Sequence, residues 1–147
     1  MSLAENITMR SDTYNVSIRV PPEFAWLSLS DVTNWVLFSP FADSIVKIDE
    51  DHFEVFSPQG IVQLETQFDR SRLLLDHVVT LTGDVRVFIP YRVVPNHLGS
   101  ELIMTNVQSP HDSLEAYMVQ VEWMHGELRG ACKFVEAQYE SKRAGQS

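Results

Sequence analysis

A chain of 147 residues with 44% apolar content can build one domain with a sizeable core, and is too short for two ordinary ones. Its formal charge of −9 repels phosphate backbones and anionic headgroups, so nucleic acid is not an expected partner. The single cysteine, Cys132, cannot close an internal disulfide, the apolar runs fall short of the roughly 18 residues of a membrane span, and the N-terminus lacks the basic start of a signal peptide. These features describe a cytoplasmic protein, monomer or homodimer, without membrane insertion. The domain is expected over residues 10–143, with 1–9 and 144–147 as tails.

Val16, Ile18 and Val20 alternate with Ser17 and Arg19, the period of a half-buried strand that Pro21-Pro22 then stops. Pro22 suits a first helical turn, and with Phe24, Trp26 and Leu27 it predicts a short helix over Pro22–Leu29. Ser30 or Asp31 can cap a second one over Val32–Phe38, which Pro40 ends. Six strands follow, at 44–49, 53–57, 61–68, 73–81, 85–94 and 100–107, punctuated by turn residues that include Ser57-Pro58-Gln59-Gly60 and Thr82-Gly83-Asp84. Successive short strands of this kind predict an antiparallel meander.

Alternation assigns the inward face. Val62, Leu64, Thr66 and Phe68 oppose Gln63, Glu65 and Gln67, and Val85, Val87, Ile89, Tyr91 and Val93 oppose Arg86 and Arg92. On the strand between them, Leu75, His77, Val79 and Leu81 point inward and Asp76 and Thr80 outward. After Pro110 a cap at Asp112 or Ser113 opens one long helix. Leu114, Met118, Val121, His125, Leu128, Cys132 and Val135 form its apolar stripe, while Glu115, Glu127, Lys133, Glu136 and Glu140 mostly take the other side. Gly126 and Gly130 each cost roughly 1 kcal/mol against Ala in a helix, so they admit a close neighbour or mark a bend.

The order strand, two short helices, six strands, long helix is that of a helix-grip α+β fold: a seven-stranded curved antiparallel sheet with the long helix on its concave face. Several stretches carry the likeness further: Val20-Pro21-Pro22-Glu23-Phe24-Ala25-Trp26, Val32-Thr33-Asn34-Trp35, Arg92-Val93-Val94-Pro95-Asn96 and Gly99-Ser100-Glu101-Leu102. On them the chain resembles the START and pollen-allergen-like (SRPBCC) superfamily, in its polyketide cyclase/dehydrase-like branch. Leu75–Leu81 and Leu128–Glu136 are similar to stretches of one bacterial group. The resemblance covers residues 14–140 and rests on turns and core patterns, so it informs fold more than function. It implies an elongated cavity between sheet and helix, used by relatives for lipids, polyketides, hormones or partner proteins, and it implies no metal and no cofactor.

The expected cavity floor is Val62, Leu64, Thr66, Leu75, His77, Val79, Val87, Ile89 and Tyr91, the roof is Met118, Val121, Glu122 and His125, and the resemblance puts Trp35, Phe38 and Phe41 at the mouth. His77 and His125 are the leading acid/base candidates, although a lone inward His also reads as a core side chain bonded to backbone. Tyr91 can donate or accept at a ligand oxygen, and Glu122, at the border of the stripe, can be withdrawn from water and raised in pKa. His52, His77, His97, His111 and His125 show no metal-ligand spacing, and the glycines form no phosphate loop. Cys132 lies about 10 Å along the helix from His125 and reads as a small core hydrophobe.

Three functions compete. Binding or transport of a hydrophobic small molecule, lipid- or polyketide-like, follows from the apolar lining. An aromatase, cyclase or dehydratase-like enzyme would use His77, Tyr91 or His125. A protein-interaction module would show Trp26 or Trp123 exposed.

Overall fold

The computed structural model of the chain describes residues 7–81 and 84–145, so the expected turn residues Thr82 and Gly83, and the outermost tail residues, lie outside the described residues. Strand β1 (Ser11–Ile18) leads into helix α1 (Pro22–Leu29) and a 3₁₀ helix (Val32–Leu37). Then come β2 (Ser44–Lys47), β3 (His52–Ser57), β4 (Gly60–Thr66), β5 (His77–Thr80), β6 (Arg86–Ile89), β7 (Tyr91–Asn96), β8 (Gly99–Val107) and the long helix α2 (Leu114–Ala144). The expected caps form: Asp31 accepts from the Thr33 N–H, and Ser113 from the Ala116 N–H. Helix α2 runs to Ala144, one residue into the expected tail.

All pairings are antiparallel, but among the described residues the strands number eight in two sheets rather than seven in one: β1-β8-β7 and β2-β3-β4-β5-β6. The division arises at Pro90, which has no N–H to give to a ladder and splits the expected strand 85–94 into β6 and β7. Across this seam the segment before β5 changes partner. The Leu75 N–H donates to the Tyr91 carbonyl at 2.7 Å, and the Val93 N–H to the Leu73 carbonyl at 3.0 Å. Asp76, expected outside, is buried here instead. Its carboxylate accepts the Tyr91 N–H at 2.8 Å and faces the Arg92 guanidinium at 3.4 Å, satisfying a backbone donor that the break would leave bare.

Helix α2 packs chiefly on β1, β8 and α1. Its buried stripe is Tyr117, Val121, Met124, Leu128, Ala131 and Val135, at alternating spacings of four and three. This corrects the expected stripe. Val121, Leu128 and Val135 are shared, but Leu114 is 53% exposed, Met118, His125 and Cys132 sit on the flank, and Tyr117 and Met124 take their places. The aromatic ring of Tyr117 can lie fully buried because its hydroxyl donates to Asp12 at 2.8 Å at the edge of the core.

The glycines of α2 admit a close neighbour. A Cβ on Gly130 would stand 2.7 Å from the Phe38 carbonyl oxygen and 3.0 Å from the Phe38 Cβ, and one on Gly126 would meet only the Pro40 ring at 3.3 Å. The segment 38–40 therefore lies directly against the helix backbone. Gly130→Ala is expected to destabilise the protein by about 1–3 kcal/mol despite the better helix propensity of Ala, because backbone must shift. Gly126→Ala should fall within about 1 kcal/mol of wild type. Urea denaturation of the two variants distinguishes the positions.

Candidate functional site

Because α2 sits on β1 and β8, the five-stranded sheet curves past its first half without closing on it, and a cavity of about 380 Å³ remains between them. That volume falls in the range of small-molecule sites. Val62, Leu64, Val79, Val87 and Ile89 from β4, β5 and β6 form one wall. They are the inward-facing residues of strands that alternate at period two, which is how a polar-looking sequence lines an apolar surface. Helix α2 supplies Gln120, Trp123, Met124 and Glu127, spaced i, i+3, i+4 and i+7 and so stacked on one face. Lining residues that reach solvent, Gln59 and Ile61 at the β3–β4 turn and the start of β4, and Val107 and His111 at the end of β8 and in the connection to α2, mark the mouth.

Of the expected site residues, the structure brings Trp35, Phe41, Val62, Leu64, His77, Val79, Val87 and Ile89 to the cavity wall. Trp35 is buried rather than at the mouth, with its indole N–H on the Leu29 carbonyl at 2.8 Å. Phe38 turns away and packs on Phe134 at 5.3 Å between ring centres. Thr66 and Leu75 are buried, but neither lines the cavity; the Thr66 hydroxyl donates to Asp51. The rotated helix stripe removes the whole expected roof. Met118, Val121, Glu122 and His125 are absent from the lining, Glu122 is exposed, and the His125 ring stacks on Tyr14 of β1 at 4.1 Å. His77 and His125 therefore face different surroundings and cannot act on one ligand atom.

At the inner end the polar groups are Ser39, His77 and Glu127, with Tyr91 behind the wall. The rings of Trp35, His77 and Tyr91 meet edge to face, His77 lying 5.2 Å from Trp35 and 5.9 Å from Tyr91 between centres. His77 is buried, and its Nδ1–H donates to the Leu75 carbonyl at 2.9 Å. This fixes the neutral tautomer and leaves Nε2 as an acceptor. Burial pushes its pKa down to about 4, outweighing the help of the Leu75 carbonyl. Tyr91 is completely buried, and its hydroxyl oxygen is the buried side-chain polar atom without a hydrogen-bond partner among the described residues. Burial, and secondarily the Glu127 charge, hold its pKa well above the ordinary phenol value.

Glu127 was expected on the solvent side of α2 and instead lines the cavity. Withdrawal from water raises its pKa to about 7, offset only in part by the Ser39 hydroxyl. Its placement was legible only in relation to the correct stripe: it follows Met124 by three and precedes Ala131 by four, both fully packed. Among the described residues, no Lys or Arg lines the cavity.

Comparisons with known proteins agree with this architecture. No family model matches the chain, and no curated protein matches it. Solved structures do. The crystal structure of the Zhui aromatase/cyclase from Streptomyces sp. R1128 superposes with a TM-score of 0.71 at 12% identity, covering 89% of this chain and 96% of that one. A START superfamily protein from Mycobacterium smegmatis gives 0.64 at 11% identity over 89% and 97% of the two chains. Ara h 8.0201 gives 0.64 at 11% over 88% and 99%. The chain shares the fold of these three structures, a helix-grip α+β fold.

Stability should depend on Glu127 with a defined sign. Unfolding returns its carboxyl to about 4.5, so between pH 4.5 and 7 the folded chain holds a proton that the unfolded chain has lost, and this group's contribution falls as pH rises. His77 acts oppositely: between pH 6.5 and 4 the unfolded chain takes up a proton that the folded chain refuses, so stability falls as pH drops. The two slopes cancel over most of their shared window. Glu127→Gln unmasks the histidine. It is expected to be more stable than wild type at pH 8, by up to about 3 kcal/mol, and close to wild type at pH 4. Thermal melts of the pair across pH check this.

Proposed function

We propose that the protein binds a hydrophobic small molecule, lipid- or polyketide-like, in this cavity. The observation that carries the reading is the cavity itself: about 380 Å³ walled mainly by Val, Leu, Ile, Phe and Trp side chains in a fold whose core is otherwise closely packed. An apolar wall gains free energy from any apolar surface it dries, at about 25 cal/mol per Å². The few polar groups, gathered at the inner end and at the mouth, orient such a molecule rather than hold it. The aromatase/cyclase and START proteins that share the fold favour the same reading at the level of the fold.

Two alternatives are weaker. Of the acid/base candidates read from the sequence, His77 alone lines the cavity, so an enzymatic role would fall to His77 with Glu127. An interaction module is disfavoured because Trp26 is buried, with its indole N–H on the Leu74 carbonyl, and Trp123 packs on Phe41 at 5.3 Å. Filling the cavity separates binding from folding. Val87→Trp should weaken the binding of an apolar fluorescent dye by about tenfold or more with little change in melting temperature, since the new ring enters existing space. Unchanged dye affinity in a folded variant would contradict the proposal.

A further inference from the structure

We infer that the ligand carries an amine: its apolar body lies along the sheet wall, and its ammonium sits at the inner end against Glu127, beside Ser39. This rests on the ligand-binding reading above and adds the chemical class of the head group.

Three observations converge on it. First, the inner end holds one carboxylate and no cation. Among the described residues no Lys or Arg lines the cavity, the other lining acid, Asp112, is at the mouth, and burial keeps His77 neutral. A carboxylate or phosphate head group placed there would meet like charge in a poorly solvated space and find no ion partner. Second, Ser39 lines the cavity beside Glu127, whereas the Tyr91 hydroxyl stays behind the wall. The Ser39 oxygen and the two carboxylate oxygens offer three acceptors to the three donors of an ammonium. Third, aromatic side chains line the same cavity. Trp35, and Phe41 packed with Trp123, form part of its wall, so a cation there has π-systems as well as a carboxylate within the cavity. The surplus of acidic side chains over the whole chain acts in the same direction by raising the local concentration of cations.

Decylamine, decanol and decanoate share one chain and differ in head group, so titration calorimetry of all three against the full chain at pH 8 tests the inference. At that pH the amine is protonated and Glu127 mostly ionised. Decylamine is expected to bind at least about tenfold more tightly than decanoate, with decanol between them. In Glu127→Gln the amine should lose about tenfold while decanol stays within about twofold. Decanoate binding as tightly as decylamine, or an amine affinity untouched in Glu127→Gln, overturns the amine assignment and leaves the apolar cavity standing as a ligand site. Failure of all three to bind overturns both. If Glu127→Gln does not fold, as judged by circular dichroism, the ranking of the three probes on the wild-type chain decides alone.

Discussion

The contact of Gly130 with Phe38 sets the position of everything on the inner end of the cavity. With only hydrogen at Cα, α2 lets the chain leaving the 3₁₀ helix run against its backbone, and residues 38–40 are held between that helix and the sheet. Phe38 is thereby turned outward onto Phe134, Ser39 inward beside Glu127, and Phe41 onto Trp123 at the wall. A side chain at position 130 would lift the segment and open the pole to water. The helix gives up propensity at two places so that a loop can act as part of the cavity wall.

The same packing explains the electrostatics. Glu127 is one position from Leu128, at the centre of the buried stripe, and could not be there in ionised form without a partner unless space remained beside it. The cavity supplies that space but little water, and the nearby Ser39 hydroxyl offsets the rise in pKa only in part. The result is a carboxyl near the middle of its titration at neutral pH, opposite a histidine that burial keeps neutral and a phenol with an unpaired oxygen. Groups shifted in this way by their surroundings mark places where a fold has retained polarity inside an apolar space, and such places are where ligands are recognised.

Much of the fold could be read from local signals. Pro22 at the start of α1, Asp31 and Ser113 as caps, and the alternation in β4, β6 and β7 all act over a few residues, and the outer bounds of these elements lie within a residue or two of their expected places, whereas β5, expected from residue 73, begins at His77 and β1 begins at Ser11, ahead of the alternation at Val16. What was hidden depended on distant contacts. Pro90 was visible as a residue, but its effect on the sheet depends on Asp76 and Leu73–Leu75 coming from another strand to serve β7. The helix stripe was rotated by a fraction of a turn because Tyr117, with a polar tip, and Ala131, with little side chain, are weak hydrophobic signals beside Leu114 and Cys132. That small rotation exchanged the whole roof of the cavity, replacing Met118, Val121, Glu122 and His125 with Gln120, Trp123, Met124 and Glu127. Strand faces, fixed by a period of two, survive such an error; helix faces do not.

The polar inner end of the cavity therefore depends on the state of one carboxyl group. A pH titration of the Glu127 side-chain carbonyl carbon by NMR, assigned by its loss in Glu127→Gln, observes that group directly. A midpoint near 7 is the expected result, and a midpoint near 4.5 would mean that the carboxyl is solvated and that the inner end of the cavity is not the secluded pole described here.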